Sequence, residues 1–120
     1  MKKLILLSFL AIAFLLSCRE AESYEQTNSP YQGEWFGSYN GNNDDGEIIF
    51  TVSPKGHLEG KKISKRWNTS EELKGYVTQE GKYDANTKTK FIISGLIVNN
   101  KSQGQWSQNE NRGTFNFEKR

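Results

Sequence analysis

Six residues gather charge and an aromatic ring within thirteen positions: Lys55, Lys61, Lys62, Lys65, Arg66 and Trp67. Cations grouped around an aromatic suit an anionic partner, such as a lipid headgroup, an acidic glycan or an acidic protein face. Lys61, Lys62, Lys65, Arg66 and Trp67 are therefore the candidate partner-binding set, with Arg66 and Trp67 at its centre. The alternative is a solvated strand face on which Trp67 plugs one end of the fold. Other chemistry-bearing residues do not assemble. His57 is the only histidine, so catalytic triads and histidine-based metal sites lack a member. Glu71 and Glu72 are adjacent, and neighbouring strand residues point to opposite faces, which separates them as a general acid and base. Asn40 to Glu47, "NGNNDDGE", offers oxygen ligands for calcium. Counted from Asn40, however, Asp45 falls where an EF-hand needs glycine and Thr51 where it needs glutamate. The chain is expected to be no enzyme and to carry no cofactor and no metal.

Cys18 is the single cysteine, so it has no disulfide partner within the chain. Ahead of it come a positive start, Met1-Lys2-Lys3, and an apolar run from Leu4 to Leu16 broken only by Ser8. A spanning helix needs roughly 20 apolar residues. This shorter run has the length of a signal-peptide core, and no polar face makes it an amphipathic helix. Leu15-Leu16-Ser17-Cys18 resembles the lipobox of bacterial lipoproteins: an aliphatic residue, a small residue, then the obligatory cysteine. The resemblance implies cleavage after Ser17 and a diacylglyceryl group on the Cys18 sulfur. Two acyl chains hold a protein stably on a bilayer where one does not. The expected partner is thus a membrane, reached through a lipid anchor.

Loss of residues 1–17 takes Lys2 and Lys3 with it, leaving 14 basic against 14 acidic residues. A neutral domain exerts no general pull on nucleic acid, and none is expected as a partner. Residues 18–30 form the lipidated cysteine and a polar tether, "REAESYEQTNSP". A flexible coil of that length spans about 20 Å. Arg19 stands where many inner-membrane lipoproteins of two-membraned bacteria carry aspartate. The resemblance therefore implies the cell envelope, and its outer membrane where two membranes exist.

Residues 31–120 make one small domain. Period-two alternation recurs: Trp35, Gly37 and Tyr39; Ile48, Phe50 and Val52; Leu58 and Gly60; Leu73, Gly75 and Val77; Gly104 and Trp106; Gly113, Phe115 and Phe117. Lys90 to Val98 is nearly continuous and reads as a strand buried on both faces. Asn40-Gly41, Asp45-Gly46, Pro54 to Gly56, Asn99-Asn100 and Asn109 to Gly113 supply turn residues. Thr69 to Glu72 fits a capping box, good for one helical turn at most. The expected fold is all-β: a small antiparallel up-and-down meander of seven or eight strands, closed into a barrel. Glycines beside large apolar residues suit sharply bent strands. The inward set, Trp35, Tyr39, Ile48, Phe50, Val52, Leu58, Leu73, Val77, Ile93, Trp106, Phe115 and Phe117, predicts a filled interior.

"GEWFGSYNG", "GEIIFTV" and "GHLEG" resemble the opening strands of avidin-type barrels, and lipocalin-like barrels also begin with Gly-x-Trp. The resemblance covers about 28 residues and implies the barrel architecture. The avidin ligand set does not carry over to Ser38 or Tyr39. Two functional expectations follow. One is a non-catalytic, membrane-anchored envelope lipoprotein whose barrel meets an envelope protein or an anionic glycan. The other is a barrel that holds a small molecule in an avidin- or lipocalin-like cavity.

Overall fold

The computed structural model describes residues 28–120, so the expected signal peptide, Cys18 and most of the expected tether lie outside the described residues. Eight strands follow one another: β1 Gly33–Gly41, β2 Asp45–Val52, β3 His57–Ser64, β4 Thr69–Val77, β5 Lys82–Asn86, β6 Phe91–Leu96, β7 Lys101–Gln108 and β8 Asn111–Lys119. Each pairs antiparallel with the next, and β8 returns to β1, so the sheet closes into an up-and-down barrel. The closing register sets Gly37 opposite Phe117 and Tyr39 opposite Phe115.

Alternation fixes which side chains point inward. All twelve residues of the expected inward set are buried, joined by Tyr83, Ala85, Phe91 and Ile97. Trp35 stacks on Phe50 at 6.1 Å between ring centres and meets Phe117 edge-on at 5.7 Å. Farther along the axis Phe91 stacks on Trp106 at 5.2 Å, with Tyr39 edge-on to both. Two layers of aromatic rings thus fill the interior, as a narrow eight-stranded barrel permits. Gly37 is required for this closure. A Cβ there would strike the Asn116 carbonyl and the Phe117 side chain across the seam.

Four expectations change. Lys90 to Val98 is not buried on both faces: Phe91, Ile93 and Ile97 point inward, while Ile92, Leu96 and Val98 stand in solvent. A single-walled barrel has only one covered face. Thr69 to Glu72 opens β4 and forms no helical turn. Its cap residues follow a turn at Lys65 to Asn68, closed by Asn68 at a φ of 54°. Asp45-Gly46 lies within β2 and is not a turn. Gly46 is needed there because a Cβ would collide with the Ile63 carbonyl. Lastly, β5 has no counterpart among the expected strands.

The meander sends alternate loops to opposite ends. Pro54 to Gly56, Thr78 to Gly81 and the Asn99-Asn100 turn lie at one end, together with the incoming chain. There the Ser29 amide donates to the Pro54 carbonyl at 2.7 Å, and the Gln79 amide group donates to the Asn28 carbonyl at 3.5 Å. The loops Asn42 to Asp44, Lys65 to Asn68, Thr87 to Lys90 and Asn109-Glu110 form the opposite end. Every side chain of the site below comes from that second end.

Candidate functional site

β3 carries Leu58, Gly60, Lys62 and Ser64 at the same parity, so Lys62 must point inward with Leu58. Its ammonium sits 5.4 Å from the Tyr39 ring centre and 5.0 Å from that of Phe91. A buried cation needs a counter-charge. Asp44, at the end of the β1–β2 loop, supplies it at 2.8 Å, with the two side chains only 5% and 7% exposed. Asp44 also accepts from the Ser64 hydroxyl at 2.6 Å, the Tyr39 phenol at 3.2 Å and the Asp45 amide at 2.9 Å. Burial by itself would raise the Asp44 carboxyl. Hydrogen bonds from Lys62 and Ser64, the Lys62 charge and the Tyr39 hydrogen bond outweigh it and hold the carboxyl below its usual value. Burial, reinforced by the neighbouring Asp44 charge, pushes the Tyr39 phenol far above its usual range.

Above this pair lies Glu71, on β4 and at the inward parity of Leu73. One of its oxygens is 3.7 Å from the Lys62 ammonium. The Thr89 hydroxyl lies 2.7 and 2.8 Å from its two oxygens, and the Gln108 amide group reaches the Thr89 hydroxyl at 2.6 Å. Loops from all four hairpins at this end are thereby laced together. Among the described residues no buried side-chain nitrogen or oxygen lacks a partner.

Trp67 forms one wall. Its amide donates to the Ser64 hydroxyl at 3.0 Å and its indole N–H to the Asn43 carbonyl at 2.9 Å. Backbone and ring are each held by one bond, yet the residue remains 59% exposed. Beneath it is a hollow of about 320 Å³, lined by Asn43, Thr69, Thr89, Gln108 and Asn111 in addition to the ionic groups and Trp67. Amides, hydroxyls and carboxylates thus face one immobilised aromatic surface.

The candidate set does not form the expected cationic patch. Lys62 is inside, bound to Asp44. Lys61, at the opposite parity, is on the outer wall across from Glu72. Lys65 lies 3.6 Å from Glu47 and Arg66 lies 3.5 Å from Asp45, while Arg66 also donates to the Asn42 carbonyl at 2.6 Å. Lys55 is at the other end of the barrel. Of the set, Lys62 and Trp67 reach the hollow. Asp44, Glu71, Thr89 and Gln108 were not singled out for it. Strand parity could have found Glu71 beside Leu73, but nothing local in "NGNNDDGE" says that Asp44 turns inward. Among the described residues no group of three His, Cys, Asp or Glu is placed to hold a metal ion, and no helix is long and apolar enough to cross a membrane.

A larger hollow, about 550 Å³, lies on the wall near Leu96, Val98 and Gln103. It marks where β6 leaves β7, since only Phe91 with Gln108 and Ile92 with Ser107 are paired between those strands. Lys101, Ser102, Asn116 and Glu118 line it as well, but its one aromatic residue, Phe117, is buried, so the smaller hollow with the exposed Trp67 ring is the better candidate. Set against known proteins, the chain matches no family model, no curated sequence and no solved structure.

Proposed function

We propose that this chain is a non-catalytic, lipid-anchored envelope lipoprotein whose barrel binds a carbohydrate at the mouth under Trp67. The observation that carries the reading is the Trp67 ring, held by its indole N–H on the Asn43 carbonyl yet exposed above a hollow of hydroxyls, amides and carboxylates. A sugar ring offers C–H groups on its face, which pack on an aromatic surface, and hydroxyls at its rim, which need donors and acceptors together. An anionic glycan is a poorer match, because Lys62, Lys65 and Arg66 each already face a carboxylate.

The tether agrees with this reading. Residue 28 enters at the end of the barrel opposite the mouth. A chain anchored through Cys18 would therefore present the mouth away from its own membrane. The small-molecule alternative is less favoured, because aromatic rings occupy the interior where an avidin- or lipocalin-like ligand would sit.

Binding of the mature protein in detergent to a panel of immobilised glycans tests the reading, with Trp67→Ala alongside. Trp67 is 59% exposed and stacks on none of the core rings, so the variant should fold and lose at least about tenfold in affinity, roughly 1.4 kcal/mol. Absence of any glycan binding by the wild type would overturn the proposal. Binding that ignores Trp67→Ala would move the site elsewhere.

A further inference from the structure

We infer that the glycan bound at the mouth carries a free primary amine, whose ammonium docks between the Glu71 carboxylate and the face of Trp67. This rests on the carbohydrate reading above and adds the ligand's charge. The ionic groups lining the hollow are two carboxylates, Asp44 and Glu71, and one ammonium, Lys62. Lys62 is committed to Asp44 at 2.8 Å, and Asp44 is further engaged by Ser64, Tyr39 and the Asp45 amide. Glu71 is different. Lys62 stands off at 3.7 Å, the Thr89 hydroxyl is its only hydrogen-bond donor among the described residues, and its side chain is 22% exposed.

One carboxylate is thus left without a full counter-charge in a partly desolvated hollow, where charge pairs are stronger than in water. The exposed Trp67 ring lines the same hollow, and an indole face attracts cations. Among the described residues no other cation lines it. Lys65 and Arg66 are turned to Glu47 and Asp45. An anionic sugar would face a surplus of like charge, and a neutral one would leave the Glu71 surplus unmatched. An amino sugar supplies the missing charge and keeps the ring faces and hydroxyls that the remainder of the hollow accommodates.

Three β-1,4-linked trimers separate the possibilities: glucosamine, N-acetylglucosamine and glucose. Binding to the mature protein in detergent is measured by isothermal titration calorimetry at about pH 6, where an amine of this class is protonated. The glucosamine trimer should bind at least about tenfold more tightly than the other two. Its affinity should fall with added salt while theirs does not. Glu71→Gln should bring the three within about twofold, and Trp67→Ala should weaken all three. The salt series on the wild type reads the same contact if Glu71→Gln fails to fold. Equal binding of the acetylated or glucose trimer, still sensitive to Trp67→Ala, would overturn the amine and leave the carbohydrate reading standing. Binding of none of the three would overturn the amine, and the carbohydrate reading would fall with it if the wider glycan panel also fails.

Discussion

Lys62 places its ammonium 2.8 Å from a carboxylate oxygen of Asp44, and both side chains are almost wholly enclosed by the barrel. The pair joins β3 to the loop between β1 and β2, so it ties the mouth together as well as balancing charge. Removing one member strands the other in a desolvated site, which costs about 3–5 kcal/mol. Asp44→Ala should fall in that range and Lys62→Ala close to it, read by urea denaturation. A double variant, Lys62→Met with Asp44→Asn, should recover much of the loss, because neither charge is then left alone. Single variants within about 0.5 kcal/mol of wild type would mean that the pair is solvated in solution.

The same carboxyl makes acid stability a specific expectation. Asp44 is held below its ordinary value of 3.8 in the fold. Its contribution is therefore complete above the unfolded value and is lost as pH falls through the folded one. Melting temperature should not respond to Asp44 between pH 7 and about 4, then drop below that, and Asp44→Asn should lack this part of the drop. The alkaline side has the opposite sign. Burial, opposed by the Ser102 hydrogen bond, raises the Tyr83 phenol from 10.0 to about 12. Its contribution is present below 10.0 and lost as pH rises from there to about 12. Tyr83→Phe should flatten that limb in a melting series against pH.

The barrel was largely legible because each hairpin repeats one rule, large apolar residues at every second position between turn residues. β5 escaped it. Lys82 to Asn86 has only Tyr83 and Ala85 facing inward, and an alanine among polar neighbours gives no alternation to read. The mouth was half legible. Sharing parity with Leu58 marks Lys62 as inward, yet five other charged or aromatic residues nearby make the sequence look like one cationic surface. The same parity sends Lys61 outward, but only the fold reveals that carboxylates on β2 meet Lys65 and Arg66. Asp44 is the extreme case, since its inward direction depends on Lys62, eighteen positions later in the chain.

The proposed lipid attachment rests on Cys18, which lies outside the described residues. Cys18→Ser should abolish incorporation of a palmitate analogue and release the protein from the membrane fraction. The sulfur is the acceptor in lipoproteins of this type, and a serine hydroxyl does not replace it. Labelling and sedimentation of the serine variant at wild-type levels would discard the lipobox reading, without touching the mouth.

The last strand is the keystone of closure. Asn111 to Glu118 pair with β7 and Gly113 to Lys119 with β1, so Gly113 to Glu118 are paired on both sides. Phe115 and Phe117 also bring two inward rings that complete the aromatic layers against Trp35 and Tyr83. Deleting Gly113 to Arg120 should therefore do more than fray an end. It leaves β1 and β7 as unpaired edges and opens the core to water, and the chain should show no cooperative melting. Trp106→Ala separates core packing from closure. Its ring stacks on Phe91 and its indole donates to the Asn40 carbonyl at 3.1 Å, linking β7 to β1 across β8. The substitution should cost roughly 3–5 kcal/mol but keep a single cooperative transition, since every strand pair survives. A truncated chain that melts like wild type would show that β8 is dispensable for closure. A Trp106→Ala chain that loses cooperativity would show that the ring, and not the strand pairing, holds the barrel shut.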